Sequence, residues 1–265
     1  MKRTVGAQEL GFADSGSGEA LVLLHPFPFD RRLWAGIGDA LAARFRVITV
    51  DARGFGESAP PPGGRFGMDD LADDVAGLLD ALGVRRATLL GMSMGGYAAL
   101  AFAARHGARL ARLVLADTRA AADTAEARAK REQAIALLRA GAVRAYLDGS
   151  LPRLLSPGAP PALVAFARPR AEDRADRLIA GLEALRDRPD RTGVLAGIAC
   201  PTLVVAGEAD QVTPAAEMRA MAAAIPGAQF VAVAGAGHLC HLEAPGAFER
   251  LVASFLAPPG AGDGT

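Results

Sequence analysis

The sequence predicts an α/β fold: a mostly parallel central sheet with helices on both faces, and a helical cap inserted between strands. Three observations predict it. Short apolar runs rich in β-branched residues recur along the chain, segments with helical periodicity lie between them, and one long helix-rich stretch interrupts the alternation. Apolar runs without alternation are typical of strands buried on both faces, and strands alternating with helices indicate right-handed crossovers in a parallel sheet.

The individual elements follow from these patterns. Six apolar runs are predicted strands: 20–25, 46–51, 87–91, 110–117, 201–207 and 229–235. Four segments have the spacing of amphipathic helices: 69–83, 97–105, 215–225 and 247–256. The opening segment 3–14 is compatible with an antiparallel hairpin at the edge of the sheet.

The alternation stops between Asp117 and Pro201, where the chain reads as several helices. In one of them Asp123 is the predicted N-cap with Glu126 as its capping-box partner, and a second helical run covers 171–186. Because long insertions between elements are usually functional, we interpret 118–195 as a cap over one sheet edge. A helical extension without a role is the alternative.

The predicted domains are therefore a core formed by 1–117 and 196–257, the cap at 118–195, and a disordered tail at 258–265.

Composition excludes several function classes. The 29 basic and 29 acidic residues cancel, which gives no reason to expect a nucleic acid or an anionic membrane as partner. Two cysteines form neither a disulfide framework nor a metal-ligand spacing, so we expect no metal. The start lacks the pattern of a signal peptide and no 18-residue apolar run is present, so a cytoplasmic location is expected. The oligomeric state is not readable from the sequence.

The motif G-x-S-x-G at 91–95 is the strongest chemical signal. Ser93 lies between a predicted strand and a predicted helix, at the sheet edge where ligands bind in open parallel sheets. A serine on such a turn has a strained backbone, and the close approach of strand and helix requires nearly side-chain-free residues two positions before and after it. Gly91 and Gly95 meet that requirement, which predicts a nucleophilic serine.

A serine hydroxyl needs a base, and the base needs an orienting carboxylate. Among the four histidines, His238 follows the last predicted strand in a Gly-rich loop and is favoured over His241. Asp210 and Asp117 both end predicted parallel strands on the same edge. Asp210 is favoured because its strand should neighbour that of His238, while Asp117 stays open as the alternative.

The oxyanion hole requires two N–H donors, and the residue after the nucleophile, Met94, supplies one. The loop "HPFPFD" after the first predicted parallel strand offers Phe27 as the second, because Pro26 and Pro28 have no N–H. The predicted substrate pocket is apolar, and its lining is Phe27, Trp34, Met92, Tyr97, Leu151, Leu155 and Phe166.

The stretches "LLHPFPFD", "VDARGFGES", "GMSMGG", "GEADQVTP" and "GAGHLCHLEAP" together resemble the α/β-hydrolase superfamily over about residues 3–257. Among its members the chain is most similar to small cofactor-free esterases, haloperoxidase-like perhydrolases and 3-oxoadipate enol-lactonases. The resemblance implies Ser93 as nucleophile, Asp210 as acid, His238 as base, no cofactor, and 118–195 as the cap. The chain departs from the family pattern in one place, where His25 is followed by proline instead of glycine.

The sequence thus predicts a serine hydrolase that acts on a small-molecule ester or lactone. An enol-lactonase or C–C-bond hydrolase with the same triad is the alternative within enzymes, and a small-molecule receptor or signalling protein of this fold is the alternative outside them. The proline after Phe27 is typical of perhydrolases in the families that the chain resembles, so we also expect a peracid-forming side activity. A G-x-G-x-x-A match at 54–59 is not interpreted as a nucleotide site, because no helix is predicted directly after it.

Overall fold

The computed structural model describes residues 1–257, and the predicted disordered tail 258–265 lies outside the described residues. An eight-stranded sheet forms the centre, with strands in the order β1-β2-β4-β3-β5-β6-β7-β8. The strands are β1 Lys2–Val5, β2 Gln8–Ser15, β3 Ala20–Leu24, β4 Arg46–Val50, β5 Ala87–Met92, β6 Leu110–Ala116, β7 Thr202–Gly207 and β8 Gln229–Val233. From β4 to β8 every neighbouring pair is parallel, while β1 and β2 form an antiparallel hairpin at the edge, as predicted.

Residues 1–257 contain ten α-helices: α1 Ile37–Ala42, α2 Met68–Ala81, α3 Met94–His106, α4 Ala125–Arg139, α5 Val143–Ser150, α6 Pro161–Ala167, α7 Ala175–Arg186, α8 Ala215–Ala223, α9 Cys240–Glu243 and α10 Pro245–Leu256. Helix α2 shows why they form, since its buried apolar residues recur at helical spacing. Two hydrophobic clusters result, one packed with α2, α3 and α8 and the other with α1 and α10. The mostly parallel sheet with helices on both faces confirms the predicted fold class.

The start of α4 differs from the sequence prediction. Thr124 is the N-cap, and its hydroxyl accepts a hydrogen bond from the Ala127 N–H at 3.2 Å. Asp123, the predicted N-cap, instead accepts hydrogen bonds from Arg131 and Arg188. A carboxylate gains more from two charge-assisted bonds than from one backbone N–H, so the neighbouring hydroxyl takes the cap.

The segment between β6 and β7 contains helices α4 to α7. It touches the loops that follow several parallel strands. Ala171 forms an isolated β-bridge with Phe29, after β3. Arg177 on α7 donates to the Gly54 carbonyl, after β4, at 2.8 Å. The Leu154 carbonyl accepts from Leu239, after β8, at 3.0 Å. This helical segment therefore contacts the carboxyl edge of the sheet.

None of the helices within residues 1–257 has both the length and the hydropathy needed to cross a bilayer.

Candidate active site

Ser93 occupies a strained turn between β5 and α3. Its φ of 50° and ψ of −112° lie outside the regions that non-glycine residues normally adopt. A Cβ on Gly91 would come within 2.2 Å of the Gly95 carbonyl oxygen, and a Cβ on Gly95 within 2.1 Å of the Leu24 carbonyl oxygen. Strand and helix therefore approach each other closely only because both positions are glycine, as the motif predicted.

A chain of two hydrogen bonds begins at the Ser93 hydroxyl. Nε2 of His238 lies 2.8 Å from Oγ of Ser93, and Nδ1 of His238 lies 2.8 Å from Oδ2 of Asp210. Each residue follows a different strand: β5 for Ser93, β7 for Asp210 and β8 for His238. The parallel strands end at one edge, which brings together three residues far apart in sequence.

Asp210 is fixed in place by the loop that follows it. Its Oδ1 accepts the N–H groups of Val212 and Thr213 at 2.7 and 3.0 Å, and its Oδ2 accepts the Thr213 hydroxyl at 2.5 Å. The same hydroxyl lies 3.3 Å from Nδ1 of His238. Thr213 was not among the predicted site residues. The sequence "D-x-V-T-P" contains it, but the only signal for its role was that an aspartate at this place can form an Asx-type turn.

The charges of this pair support each other. Burial by itself raises the pKa of Asp210, but the hydrogen bond and charge of His238 and the bonds from Thr213 bring that pKa below its ordinary value. Burial likewise lowers the pKa of His238, but Asp210 outweighs burial and raises it above the ordinary value. The arrangement therefore favours a proton on the imidazole when Ser93 gives one up.

Asp117 is the carboxylate that the sequence left open, and it has different partners. Its φ is 43°, its Oδ1 accepts the Gly207 N–H at 2.7 Å, and its side chain is fully buried. Burial, helped by the nearby charge of Asp210, raises the pKa of Asp117 to about 7. Of the two carboxylates, Asp210 is the one hydrogen-bonded to His238.

The loop after β3 is held by the first histidine. Nδ1 of His25 lies 3.1 Å from the Pro26 carbonyl oxygen, and Nε2 accepts the Ala52 N–H at 2.9 Å. Nδ1 therefore carries the proton, and because burial lowers the pKa of His25 the ring stays neutral. Within residues 1–257 the Phe27 N–H donates to no acceptor. Met94 is the first residue of α3, where a backbone N–H has no partner within the helix.

The remaining two histidines have other neighbours. His241 packs against Trp34, with ring centroids 4.9 Å apart, and burial lowers the pKa of His241 to about 3. His106, at the end of α3, lies with its Nε2 2.7 Å from a carboxylate oxygen of Asp73. Neither ring contacts Ser93.

The predicted pocket residues lie in several places, and their role stays a prediction. Four of them are buried in one hydrophobic cluster with the ring of Phe29, namely Trp34, Met92, Leu151 and Leu155. Tyr97 lines a small cavity with three arginines. The Phe166 ring lies under the guanidinium of Arg170, 3.6 Å from it. Phe27 packs edge-on against Phe55, with centroids 5.9 Å apart.

Among residues 1–257, no three His, Cys, Asp or Glu side chains lie together in a way that suits a metal ion.

Comparisons with known proteins show the family and the fold. A sequence model described as the alpha/beta hydrolase family matches residues 21–251. A solved structure of a thermophilic esterase from Thermogutta terrifontis superposes with a TM-score of 0.90 at 37% identity, covering 97% of each chain. The enol-lactonase from Burkholderia xenovorans LB400 gives a TM-score of 0.89 at 31% identity, covering 97% of this chain and 99% of its own.

A third relative is the 2-hydroxymuconate semialdehyde hydrolase of Pseudomonas putida. It is 29% identical over 262 residues, which is 92% of this chain and 89% of that protein. The family match spans most of the chain, and the strained turn at Ser93 is the one that the G-x-S-x-G motif predicted. The chain belongs to the alpha/beta hydrolase family.

Proposed function

We propose that this protein is a cofactor-free serine hydrolase that cleaves a small carboxylic ester or lactone through a Ser93–His238–Asp210 triad. The observation that carries the proposal is the pair of 2.8 Å hydrogen bonds that joins these side chains at the strained turn. A serine exposed at a helix N-terminus, a base within reach of it and a carboxylate behind the base are the parts that acyl transfer needs.

The proposed reaction proceeds through an acyl-enzyme. Oγ of Ser93 attacks the carbonyl carbon while its proton passes to Nε2 of His238. Asp210 stabilises the imidazolium and holds Nδ1 protonated. The tetrahedral intermediate collapses, the C–O bond to the alcohol breaks, and His238 returns the proton to the leaving oxygen. Water then attacks the acyl-enzyme by the same route and regenerates Ser93. A lactone passes through the same steps and yields a single hydroxy acid.

Two N–H groups are proposed to stabilise the oxyanion. The Met94 N–H begins α3, and the Phe27 N–H donates to no acceptor within residues 1–257. Such fixed donors stabilise charge that develops only during the reaction, and removal of one costs about 10²–10³ in kcat in other serine hydrolases. His25 supports the geometry, because its bonds to Pro26 and Ala52 tie the loop to the end of β4.

We further propose that residues 118–195 act as the cap and that the remainder, 1–117 and 196–257, forms the core. Contacts of this segment with the loops after β3, β4 and β8 support its position over the carboxyl edge. The esterase and the enol-lactonase among the similar structures support ester and lactone substrates.

The experiment is a screen of the purified protein against p-nitrophenyl esters of increasing acyl length and against lactones. Ser93→Ala is the paired variant. We expect multiple turnovers from the wild type and a loss of about 10⁴–10⁶ in kcat from the variant, with an unchanged circular dichroism spectrum and Tm. A variant that keeps more than about a tenth of the activity contradicts the nucleophile assignment. A single slow turnover instead indicates a ligand receptor.

C–C-bond hydrolysis is a second candidate, favoured by the similarity to the 2-hydroxymuconate semialdehyde hydrolase. The same triad serves both reactions, so mutation of Ser93 does not separate them. A comparison of kcat/KM for an aryl ester and for a vinylogous 1,5-diketone does so directly.

The proposal also includes a peracid-forming side reaction. In the loop after β3, the Pro26 carbonyl accepts the Phe29 N–H at 3.0 Å, and the Pro28 carbonyl accepts the Glu172 N–H at 2.7 Å. Within residues 1–257 the Phe27 carbonyl accepts no such bond. This carbonyl can therefore accept a hydrogen bond from hydrogen peroxide, which attacks the acyl-enzyme to give a peracid and free Ser93.

Peracid formation from acetate and hydrogen peroxide tests this side reaction in the wild type, Pro28→Leu and Ser93→Ala. We expect formation by the wild type, less by Pro28→Leu because Pro28 restricts the backbone of Phe27, and none by Ser93→Ala. Equal amounts from the wild type and Pro28→Leu would rule out this role of the loop.

A further inference from the structure

Three arginines line a small cavity beside α3. We call it the arginine cavity, and it is lined by Met68, Tyr97, Leu100, Arg119, Ala120, Arg188, Pro189 and Arg191. None of these lining residues carries a negative charge. The cavity leaves about 10 Å³ for the centre of a water-sized particle, which is room for one such particle.

Each of the three guanidinium groups has one N–H donor without a hydrogen-bond acceptor. The Nε atoms of Arg119, Arg188 and Arg191 are all buried and have no hydrogen-bond partner within residues 1–257. A buried N–H without an acceptor destabilises the folded state, and more so when it belongs to a charged group. Three of the residues that line this one cavity thus each carry a buried Nε–H without an acceptor, and we interpret this coincidence as the sign of an acceptor inside the cavity.

Each of these arginines has at least one Nη atom with a partner. Nη1 of Arg188 donates to Asp123 at 2.5 Å, and its Nη2 donates to the Ala121 carbonyl at 3.0 Å. Nη2 of Arg191 donates to Asp69, and Nη1 of Arg119 lies 3.4 Å from Glu217. These carboxylates are engaged with Nη atoms, so they leave the three Nε–H groups unsatisfied.

Arg188 is held most firmly. Its side chain is only 2% exposed, and its guanidinium lies 4.3 Å from the centre of the Tyr97 ring. That stacking fixes the plane of the guanidinium and so the direction of its Nε–H. Arg188 is thus a rigid, buried cation, whereas the side chains of Arg119 and Arg191 are partly exposed.

The number and the charge of the donors select the occupant. A water molecule has two lone pairs and accepts two hydrogen bonds well, whereas a monatomic anion accepts three from any direction. Phosphate, sulfate and carboxylate groups each need several heavy atoms of space, which the cavity does not provide. We propose that the arginine cavity binds a single chloride ion through the Nε–H groups of Arg119, Arg188 and Arg191.

The position of the site suggests what the ion does. Tyr97 lies one helical turn after Ser93 on α3, and Arg119 follows Thr118, whose hydroxyl donates to the Ser93 carbonyl at 2.8 Å. Arg188 and Arg191 come from the chain after α7, and the Arg191 N–H donates to the Ala120 carbonyl at 2.8 Å. The bound ion therefore joins the end of the helical segment to the helix that begins at the serine turn.

Chloride itself, which scatters long-wavelength X-rays anomalously whereas water does not, is the direct probe. Crystals of the wild-type protein grown in sodium chloride should show an anomalous peak within the arginine cavity, beside the three arginines. No peak there overturns the proposal, because the cavity then holds water or nothing. This readout does not depend on activity or on a variant that folds.

Thermal unfolding gives the second measurement. At equal ionic strength, chloride should raise the Tm above that in gluconate, which is too large for the cavity. Above Kd the rise should grow with the logarithm of the chloride concentration, and it should reach about 3 °C at ten times Kd. Arg191→Met, which removes one donor from a partly exposed side chain, should lose this difference. Arg219→Met is the matched control, because Arg219 stacks on Phe230 at 4.4 Å, is exposed, and lies outside the cavity. A chloride effect equal in both variants would show that the stabilisation is general screening and would contradict the site.

Discussion

Replacement of Asp117 by asparagine should make the free energy of unfolding less dependent on pH. Activity should change less than tenfold. The residue is buried, has a φ of 43°, and accepts the Gly207 N–H at 2.7 Å. Asparagine is among the residues that tolerate a positive φ, and its amide oxygen can accept the same bond. The substitution thus changes the charge and leaves the backbone as it is.

The magnitude follows from the pKa. In the folded protein burial raises the pKa of Asp117 from 3.8 to about 7. Between these values the folded state holds a proton that the unfolded state has lost, so the free energy of unfolding falls by about 1.4 kcal/mol per pH unit. The stabilising proton is fully present below pH 4, and its effect is lost by about pH 7. Over the whole range the loss is on the order of 4 kcal/mol, of which about 3 kcal/mol falls between pH 5 and pH 8.

Urea unfolding of the wild type and Asp117→Asn at pH 5 and pH 8 measures this effect. The quantity to compare is the difference in unfolding free energy between the two proteins, because it cancels every other titrating group that they share. We expect this difference to change by about 3 kcal/mol in favour of the variant from pH 5 to pH 8. Any fixed cost of the weaker 3.5 Å contact with the Cys240 N–H cancels as well.

Two results would refute the reasoning. A difference that is the same at both pH values means that Asp117 titrates near 3.8 in the folded protein and that its burial is compensated. A loss of activity of a hundredfold or more in Asp117→Asn, with Asp210→Asn nearly unaffected, means that Asp117 is the carboxylate that orients His238.

Two further predictions concern the proton relay and the serine turn. Ester hydrolysis by the wild type should decline at acid pH as His238 becomes protonated. Because Asp210 raises the pKa of His238, Asp210→Asn should move this decline to lower pH. The same variant should lower kcat at least about a hundredfold. An unshifted pH profile would contradict that coupling. Gly91→Ala should lower the Tm by at least about 5 °C, because its Cβ would lie 2.2 Å from the Gly95 carbonyl oxygen. Gly107→Ala is the matched control, since no atom lies within 4 Å of a Cβ there, and equal Tm values for both variants would show that the turn is not tightly packed.

Much of the fold was determined by local sequence patterns. The strand at 20–25 and the helix at 69–83 were predicted to within about two residues, because a continuous apolar run and a 3.6-residue spacing reflect burial that every chain of this fold needs. The demand for Gly91 is equally local, since its Cβ would meet the Gly95 carbonyl, whereas the demand for Gly95 comes from Leu24 on the neighbouring strand β3. The order Ser93, Asp210, His238 could be predicted because each follows a strand of a parallel sheet.

Interactions between residues far apart in sequence had no such pattern. Asp123 has the sequence of an N-cap, yet Arg188 and Arg131 engage its carboxylate and Thr124 caps the helix instead. The choice between Asp210 and Asp117 as the partner of His238 likewise depended on which carboxylate reached Nδ1 across the sheet edge.

The arginine cavity shows most clearly what only the tertiary structure decided. Arg119, Arg188 and Arg191 are three among many arginines in the sequence, and they would ordinarily be solvated on helix faces. The folded chain brings them around Tyr97 and buries their Nε–H groups without acceptors. The physical reason is the sequence distance over which each effect acts. Strand and helix patterns arise from neighbours along the chain. The solvation of a charged group instead depends on every element that packs around it.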